Sequence, residues 1–461
     1  MPPSHPPLQR SAVVLAAGQG TRFKSRRSKV LHELCGKPIL LHILDKLRRL
    51  EMRRVVVVVG HDADAVRARS GDYGVEFALQ EEQRGTGHAL QTAAPLLPDE
   101  GSVLVLSGDV PLITLETLGK LLEAVEAEGA DESLLTALLA DPSGYGRILR
   151  DGAGEPVAIR EEKDATDSQR QIKEINAGFY CFKASALKPA LSKLESANAA
   201  GEYYLTDLLD ILRSQGKRII TISTSDPSEA WGINDRRQLA QTERLLRERI
   251  NRFWMEEGVT MLDPSRVLID AEVELACDVT LYPGVILQGR TRIGPGTEVR
   301  ANCHLRDARV GQDCLLDQGS IIRDSEVGNE TRIGPFAHLR SQAQVGNRVR
   351  IGNFVEVKKS VLEEGAKAAH LTYLGDARLG RDVNIGAGTI TCNYDGKRKN
   401  RTVIEDGAFI GSNSQLVAPV TIGRGAYVAA GSTITEDVPA GALAVARSRQ
   451  VVKPDWSPDE D

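Results

Sequence analysis

The stretch "VGNRVRIGNFVEV" (345–357) decides the fold of the second half of the chain, because aliphatic residues recur in it at every sixth position. Val345, Ile351 and Val357 mark three successive hexads. Neither the helical period nor the two-residue period of an ordinary strand produces this spacing. A β-helix of hexapeptide repeats produces this spacing, because one aliphatic side chain on each flat side points inward and Gly, Asp or Asn occupies the corners.

The same spacing extends along the chain on both sides of this stretch. Three sides make a coil of about 18 residues, so the segment 258–440 has room for roughly ten coils. An ordinary β-sandwich with chance spacing is the alternative, and runs of this length argue against it. The further hexad positions are Val267, Val273, Val279, Val285, Ile293, Val299, Leu305, Val327, Ile333, Leu339, Ile410, Leu416, Ile422, Val428 and Ile434.

The first half alternates buried-strand runs with helical patterns. "SAVVLAAG" (11–18), "VVVVVG" (55–60) and "SVLVLSGD" (102–109) are strand runs that each end at a glycine turn. Segments 38–50 and 114–129 carry helical periodicity between and after them. This alternation predicts an α/β, Rossmann-like domain with a mainly parallel sheet and ligands at the carboxyl ends of its strands.

These patterns predict the domain organisation. A charged amphipathic segment without Gly or Pro until its end is expected to form a helical arm between the halves. The predicted division is a disordered proline-rich tail at 1–9, a nucleotide-binding domain at 10–233, a linker helix at 234–257 and a left-handed parallel β-helix at 258–461.

Composition limits the classes of function. The 461 residues carry a net charge of −5, which disfavours nucleic acid as a main partner. No apolar run approaches the length of a membrane span, and the N-terminus has no apolar signal segment. The six cysteines form no CxxC pair, so we expect reduced thiols and a cytoplasmic protein.

The stretch "LAAGQGTR" (15–22) follows the first strand and is a candidate phosphate-binding loop. Its glycines let backbone N–H groups approach an anion, and Arg22 and Lys29 supply positive charge. A GxG after a strand is weak evidence alone, since dinucleotide-binding folds share it. Here Phe23 replaces their third glycine, and the G-x-G-T-R spacing with Lys29 eight residues after Thr21 resembles the signature of sugar-nucleotide pyrophosphorylases.

Further segments of the first half resemble the same family. They are "LQEEQRGTGHAL" (79–90), "SGDVP" (107–111), "GYGRI" (144–148), "EEKDAT" (161–166), "EINAG" (174–178) and "WGIND" (231–235). The resemblance implies that Lys29 and Arg22 act in catalysis and that Asp109 and Asn234 hold Mg²⁺. Taken alone, Asn234 is better explained as a helix N-cap, and both roles stay open. The sugar-nucleotide-binding residues implied are Leu15, Ala16, Ala17, Gly18, Lys29, Gln80, Gly85, Thr86, Asp109, Gly146, Glu161, Asn176 and Asn234.

The β-helical half carries a dense polar cluster, interrupted by an excursion, "CNYDGKRKN" (392–400), from the hexad rhythm. The cluster comprises "GPFAHLRS" (334–341), "GNFVEVKKS" (352–360), "KAAHLTYLGDA" (367–377) and "NIGAGTITCNYDGKRKNRT" (384–402). It resembles the acetyltransferase half of the bacterial bifunctional N-acetylglucosamine-1-phosphate uridylyltransferase/glucosamine-1-phosphate acetyltransferase family. With the first-half motifs the resemblance covers about residues 10–455.

This resemblance implies a homotrimer that uses acetyl-CoA as co-substrate, UTP and sugar 1-phosphates. The implied product is UDP-N-acetylglucosamine, a precursor of peptidoglycan and lipopolysaccharide. His370 would be the general base of acetyl transfer. Glucosamine 1-phosphate would contact Arg340, Lys358, Tyr373 and Asn384. Acetyl-CoA would contact Ala387, Asn393, Tyr394, Lys399, Ser412, Ala430 and Arg447, with Lys399 and Arg447 matching groups that neighbouring chains supply in the family.

Two positions depart from the family pattern. Ser28 precedes Lys29 where proline is usual, which implies a less rigid loop, and Ser341 follows Arg340 where proline is usual. The alternative function is a nucleotidyltransferase whose β-helix only assembles trimers or binds a regulator. His370, Tyr373, Asn393 and Tyr394 discriminate the two, because a scaffold would need none of them.

Overall fold

A computed structural model describes residues 9–457. Of the predicted tail, residues 1–8 lie outside the described residues, and Gln9 leads directly into the first strand. The chain divides into two compact units between Leu246 and Arg247. Within the described residues, no helix is both long and apolar enough to cross a membrane.

The first unit is built on a nine-stranded mixed sheet whose main order is β11-β7-β10-β6-β1-β4-β5, with β8 and β9 attached through β10. The strands of this sheet are β1 Arg10–Leu15, β4 Arg54–Val59, β5 Glu76–Leu79, β6 Ser102–Ser107, β7 Glu132–Leu138, β8 Arg147–Arg150, β9 Pro156–Arg160, β10 Glu174–Lys183 and β11 Ile219–Ser223. Two short strands, β2 Glu33–Leu34 and β3 Lys37–Pro38, form a separate antiparallel pair. The helices of this unit are α1 Ile39–Arg49, α2 Ala63–Ser70, α3 Thr86–Ala93, α4 Leu115–Glu126, α5 Asp167–Arg170, α6 Ala184–Leu191 and α7 Asp207–Ser214. The long helix α8 Arg236–Glu256 contains the boundary between the two units.

The predicted strand runs form the parallel centre of this sheet as β1, β4 and β6. Their aliphatic side chains are buried towards both faces, which explains why the sequence runs are continuously apolar. The long strand β10 runs antiparallel to β6 and β7. The carboxyl ends of β1, β4 and β6 share one edge, and the glycine-containing turns follow there.

The second unit is the β-helix. Its strands are β12 Thr260–Met261, β13 Leu268–Ile269, β14 Glu274–Leu275, β15 Thr280–Leu281, β16 Ile286–Gln288, β17 Arg292–Ile293, β18 Glu298–Val299, β19 His304–Arg306, β20 Arg309–Val310, β21 Leu315–Leu316, β22 Ile321–Arg323, β23 Glu326–Val327, β24 Arg332–Ile333, β25 His338–Arg340, β26 Gln344–Val345, β27 Arg350–Asn353, β28 Glu356–Lys358, β29 Val361–Leu362, β30 Lys367–His370, β31 Tyr373–Gly375, β32 Ala377–Leu379, β33 Asn384–Ile385, β34 Ile390–Cys392, β35 Thr402–Ile404, β36 Phe409–Ile410, β37 Gln415–Val417, β38 Val420–Ile422, β39 Tyr427–Val428, β40 Thr433–Ile434 and β41 Leu443–Ala444.

These strands form three all-parallel sheets of 11, 10 and 9 strands, each strand pairing with the one a coil further on. Val345, Ile351 and Val357 are 5%, 1% and 0% exposed, so the hexad positions point inward as predicted. The fold is the left-handed parallel β-helix of hexapeptide repeats that the spacing and the resemblance predicted. Because residues alternate in and out along each strand, the outward residues of successive coils form columns.

Candidate active sites

A cavity of about 280 Å³ lies beside the carboxyl ends of β1 and β6 in the first unit. Nine predicted residues line it: Leu15, Ala16, Ala17, Gly18, Lys29, Gln80, Gly85, Thr86 and Asp109. Val30, Gln83, Ala89, Ser107 and Glu202 complete the lining. The topology therefore brings the glycine-rich loop, the second motif and the end of β6 together at one cavity.

The glycine-rich loop folds back onto Lys29. Gly20 has φ +59°, and a Cβ there would lie 2.9 Å from Cβ of Lys29, so glycine lets the loop pack against it. Ser28 has φ −50°, a value proline would also adopt, and its N–H donates to Oδ2 of Asp62 at 3.0 Å. The loop is thus held by a hydrogen bond that proline at this position would lack.

Lys29 connects the two predicted metal ligands. Its Nζ donates to the carboxylate of Asp109 and, at 3.2 Å, to Oδ1 of Asn234. The two oxygens therefore converge on one cationic nitrogen. Such a pair of hard oxygen ligands fits one divalent cation whose other ligands are phosphate oxygens and water. Within residues 9–457, no cluster of three or more His, Cys, Asp or Glu side chains forms a protein-only metal site.

The segment after Gln80 is locked by backbone contacts. Gln80 is buried, and its Nε2 donates to the carbonyl of Gly85 at 3.1 Å. Gly85 has φ +108°, and a Cβ there would lie 2.4 Å from the carbonyl oxygen of Tyr203. The turn therefore requires glycine and presents Thr86, whose hydroxyl accepts the N–H of Leu205 at 3.1 Å.

Three predicted sugar-binding residues form a separate group that does not line the cavity. The carbonyl of Gly146 accepts the N–H of Asn176 at 2.9 Å. A Cβ on Gly146 would lie 3.4 Å from Oε1 of Glu161, which accepts the Thr206 hydroxyl at 3.2 Å. Burial raises the pKa of Glu161, and the hydrogen bond from Thr206 opposes that shift. Arg22 is exposed and also lies outside the cavity lining.

The sequence assigned no role to two polar residues of the cavity. Gln83 accepts from Nε2 of Gln19 at 2.8 Å, which links the second motif to the glycine-rich loop. Gln83 lies within a quoted motif, so its position was a usable signal. Glu202 comes from the segment between α6 and α7, where no motif marks it.

In the second unit, His370 ends β30 beside Asn353 of β27. Nδ1 of His370 lies 2.7 Å from Oδ1 of Asn353, and the imidazole is exposed. An amide oxygen only accepts hydrogen bonds, so in the neutral imidazole the proton is on Nδ1 and the lone pair is on Nε2. A Cβ on Gly352 would lie 1.8 Å from the carbonyl oxygen of Ala369, so glycine allows the close strand approach beside this pair. Asn353 was not predicted as a site residue.

Arg340 and Lys358 are register partners on adjacent coils of the second sheet, and Gly375 follows Lys358 one coil further on. Arg340 pairs with Glu356 at 2.6 Å. A hydrogen bond with Lys399, and the charge of that ammonium, lower the pKa of Lys358. Two ammonium groups and a guanidinium gathered on one face make a site for an anion.

Tyr373 depends on the absence of a side chain at Gly375. A Cβ at position 375 would lie 2.3 Å from the Tyr373 hydroxyl and 2.6 Å from its ring carbon Cζ. Glycine therefore lets the phenol lie beside Lys358. Asn384 begins β33, one coil after Lys367, and is half-buried.

The remaining predicted residues follow one corner of the β-helix from His370 towards the C-terminus. The backbone carbonyls of His370, Ala387 and Ser412 accept hydrogen bonds from the N–H groups of Gly388, Asn413 and Gly431, each on the next coil. The carbonyl of Ala430 accepts a hydrogen bond from the Arg447 guanidinium. The catalytic histidine candidate and four predicted acetyl-CoA contacts thus lie on one continuous corner.

The excursion from the hexad rhythm is an ordered hairpin. Tyr394 and Lys399 form an antiparallel bridge, and Asp395 accepts the N–H groups of Lys397 and Arg398, which lowers the pKa of its carboxyl. Asn393 is buried and donates to Asp376 at 2.7 Å, whereas Tyr394 is 61% exposed. The hairpin thereby holds Lys399 beside Lys358.

The fold and the two sites define a nucleotidyltransferase domain joined to a hexapeptide-repeat transferase domain. Comparison with known families agrees: a MobA-like NTP transferase domain matches residues 12–174, and bacterial transferase hexapeptide repeats match 324–359 and 401–436.

Curated relatives match almost the whole chain. The bifunctional protein GlmU of Heliobacterium modesticaldum is 51% identical over 446 residues, 96% of this chain and 97% of the relative. The Geobacillus sp. protein of the same name is 50% identical over 97% of this chain and 98% of the relative. The protein of that name from Caldanaerobacter subterraneus is 49% identical over 96% of this chain and 97% of the relative. The chain belongs to the bifunctional GlmU family and has the two transferase activities that the sequence resemblance implied.

Proposed function

We propose that the second unit transfers the acetyl group of acetyl-CoA to glucosamine 1-phosphate and that the first unit then transfers uridylyl from UTP to the product. The observation that carries the proposal is the His370–Asn353 pair at the end of the first sheet, next to the sheet that carries Arg340 and Lys358 in register. A β-helix that served only as a scaffold would need neither an oriented imidazole nor basic residues stacked beside it.

In acetyl transfer, Nε2 of His370 accepts the proton of the sugar ammonium. The freed amine attacks the thioester carbonyl, the C–N bond forms, and the C–S bond breaks. The CoA thiolate leaves and takes up the proton that His370 holds. The nitrogen is positively charged once the C–N bond has formed, and it releases its second proton to water to give the neutral amide. Arg340 and Lys358 bind the sugar phosphate, and Tyr373 and Asn384 orient the sugar.

In uridylyl transfer, a phosphate oxygen of N-acetylglucosamine 1-phosphate attacks the α-phosphorus of UTP. The bond between the α-phosphorus and the bridging oxygen breaks, and pyrophosphate leaves. Both reactants are anions, so catalysis is mainly alignment and charge neutralisation by Lys29 and Arg22. The glycine-rich loop, Gln80, Gly85 and Thr86 bind the nucleotide, and Gly146, Glu161 and Asn176 contact the sugar.

Asp109 and Asn234 are the residues that would hold Mg²⁺. The bound ion would neutralise phosphate charge during uridylyl transfer. Their convergence on the Lys29 ammonium supports this role, because the same oxygens suit a cation at that position. With the ion bound, the Lys29 ammonium would release the oxygens of Asp109 and Asn234 and would donate hydrogen bonds to the phosphates instead.

The corner of Ala387, Ser412, Ala430 and Arg447 and the hairpin with Asn393, Tyr394 and Lys399 are proposed to bind acetyl-CoA. The resemblance assigns Lys399 and Arg447 to neighbouring chains, so the proposed assembly is a homotrimer. Within one chain Lys399 lies beside Lys358 and Arg447 donates to the carbonyl of Ala430, and in the proposed trimer both would serve the site of a neighbouring chain. We propose functional boundaries at 10–233, 234–257 and 258–461. A cytoplasmic location stays a prediction from the sequence.

An assay of the full chain with UTP, acetyl-CoA and each amino or acetylamino sugar phosphate tests this function. We expect CoA release with glucosamine 1-phosphate, pyrophosphate release with N-acetylglucosamine 1-phosphate, and loss of only the latter when EDTA removes Mg²⁺. A particle of about three times the 50.0 kDa chain mass should carry both activities. Pyrophosphate release without CoA release from any acceptor would favour the scaffold alternative.

A further inference from the structure

The second sheet of the β-helix carries a column of basic residues that extends beyond the proposed sugar-phosphate site. Outward positions on β19, β22, β25 and β28 are in direct register. Neighbours in such a column are about 4.8 Å apart at the backbone. The column consists of Arg306, Arg323, Arg340 and Lys358, and the adjacent outward column contains His304, Ile321, His338, Glu356 and Tyr373.

Arg323 differs from the rest of this column because, in the described part of the chain, it has no ion pair and also has a buried side-chain nitrogen without a hydrogen-bond partner. Arg340 pairs with Glu356, and Arg306 lies 4.0 Å from Asp307. Within residues 9–457 no ion pair joins Arg323 to any acid, and its Nε is buried without a hydrogen-bond partner. Nε2 of His338, on the next coil, is also buried and unpartnered. A buried polar atom without a hydrogen-bond partner is costly, so these two on adjacent coils indicate a missing partner. An anion would accept from Nε–H of Arg323 and from the Nε2–H tautomer of His338.

The charges around Arg323 and His338 also indicate a missing anion. Burial lowers the pKa of His338, with Arg340 and Arg323 adding to the shift and Glu356 opposing it. Burial likewise lowers the pKa of His304, and Arg323 and Arg306 add to that shift. The positive field at Arg323 therefore reaches the histidines on both sides, and Glu356, the acid in the adjacent column, is already held by Arg340.

We propose that Arg323 and His338 form a second anion subsite, one coil before the Arg340–Lys358 subsite, and that the two subsites together bind a diphosphate group. The proposal rests on the proposed phosphate-binding role of Arg340 and Lys358. The two phosphates of a diphosphate are adjacent along its chain, as the two subsites are along the column.

The uridylyl reaction supplies two such ligands, inorganic pyrophosphate and the sugar nucleotide. Either would occupy the place of glucosamine 1-phosphate and slow acetyl transfer. The shared ligand chemistry is the diphosphate, and the experiment separates its two sources.

The test measures CoA release by the full chain at varied glucosamine 1-phosphate, without UTP or added Mg²⁺. Inhibitors are inorganic phosphate, pyrophosphate, UMP and UDP-N-acetylglucosamine. We expect pyrophosphate to compete with the sugar phosphate and to have an inhibition constant about tenfold below that of phosphate, because it gains a second set of charge-assisted hydrogen bonds. Inhibition by UDP-N-acetylglucosamine but not UMP would identify the sugar nucleotide as a second source.

Arg323→Gln is the variant and Arg309→Gln its matched control, since Arg309 lies outward on the third sheet with Glu326 at 3.8 Å. Arg323→Gln should raise the inhibition constant of pyrophosphate about tenfold and leave that of phosphate and the KM of glucosamine 1-phosphate within about twofold. Arg309→Gln should change none of them. Calorimetric titration of pyrophosphate into both variants and the unmodified chain should show the same difference independently of activity.

Pyrophosphate that inhibits and binds no better than phosphate would overturn the proposal, as would equal constants for the two variants. Loss of the oligomer in Arg323→Gln alone would also overturn it, because Arg323 would then be a subunit contact. Absence of CoA release in the unmodified chain would contradict the proposed function, while the calorimetric difference would still test the subsite.

Discussion

Individual residues set the orientation of the side chains that are proposed to act in acetyl transfer. Asn353 fixes which imidazole nitrogen of His370 is free, and Gly375 leaves room for the Tyr373 phenol. Neither residue needs to touch a substrate to matter. Each can be changed in a way that alters one property of the site and leaves the coil intact.

Asn353→Asp should shift the pH dependence of acetyl transfer. A carboxylate at this position favours the imidazolium over the neutral imidazole. Only the neutral imidazole accepts a proton, so the acid limb of the kcat/KM profile should move to higher pH. The profile is measured by CoA release between pH 5 and 9.

Asn353→Ala is the control, because it removes the acceptor and adds no charge. It should lower the rate without moving the acid limb upwards. An unchanged acid limb in Asn353→Asp would contradict the assignment of His370 as the titrating base.

Gly375→Ala should weaken binding of the sugar acceptor. The added Cβ would lie 2.3 Å from the Tyr373 hydroxyl, so the phenol must move away from Lys358. We expect the KM of glucosamine 1-phosphate to rise about tenfold, the loss of roughly one hydrogen bond. In a Tyr373→Ala background the same change should add no further loss, and an additive loss would show that position 375 acts in another way.

At the scale of elements, strand β7 carries an unusual buried acid. Glu132 is 0% exposed, and neither carboxylate oxygen has a hydrogen-bond partner among residues 9–457. Burial, with a smaller contribution from Asp210 of α7, raises its pKa to about 8. The folded chain therefore holds a proton that the unfolded chain releases above its ordinary carboxyl pKa.

The stability of the first unit should consequently fall as pH rises from the ordinary carboxyl range through about 8. Glu132→Gln should remove this dependence, on the order of 3 kcal/mol of unfolding free energy between pH 5.5 and 8.5. Urea unfolding at the two pH values measures it. The exposed Glu128→Gln should keep the dependence of the unmodified chain, and equal slopes for both variants would contradict the role of Glu132.

Local pattern predicted the elements whose burial is periodic. The hexads around Val345 marked the β-helix because each coil buries the same positions, and continuous apolar runs marked β1, β4 and β6. The antiparallel strand β10 and the β8–β9 hairpin were not predicted, since their pairing is set by distant parts of the chain. Glu202 and Asn353 were not predicted as site residues for the same reason. Only folding brings Glu202 to the cavity and Asn353 to His370.

At the scale of the whole molecule, the candidate groups for the two reactions lie in different compact units. Lys29, Asp109 and Asn234 lie in the first unit, and His370 lies in the second. The central claim is that the two chemistries are separate. One set gathers anions around cations, and the other removes a proton from an amine.

The most direct measurement compares His370→Ala and Asp109→Ala in paired assays of CoA release and pyrophosphate release. His370→Ala should abolish CoA release and leave pyrophosphate release intact, and Asp109→Ala should do the reverse. Loss of both activities in either variant, while it remains folded and assembled, would contradict the account.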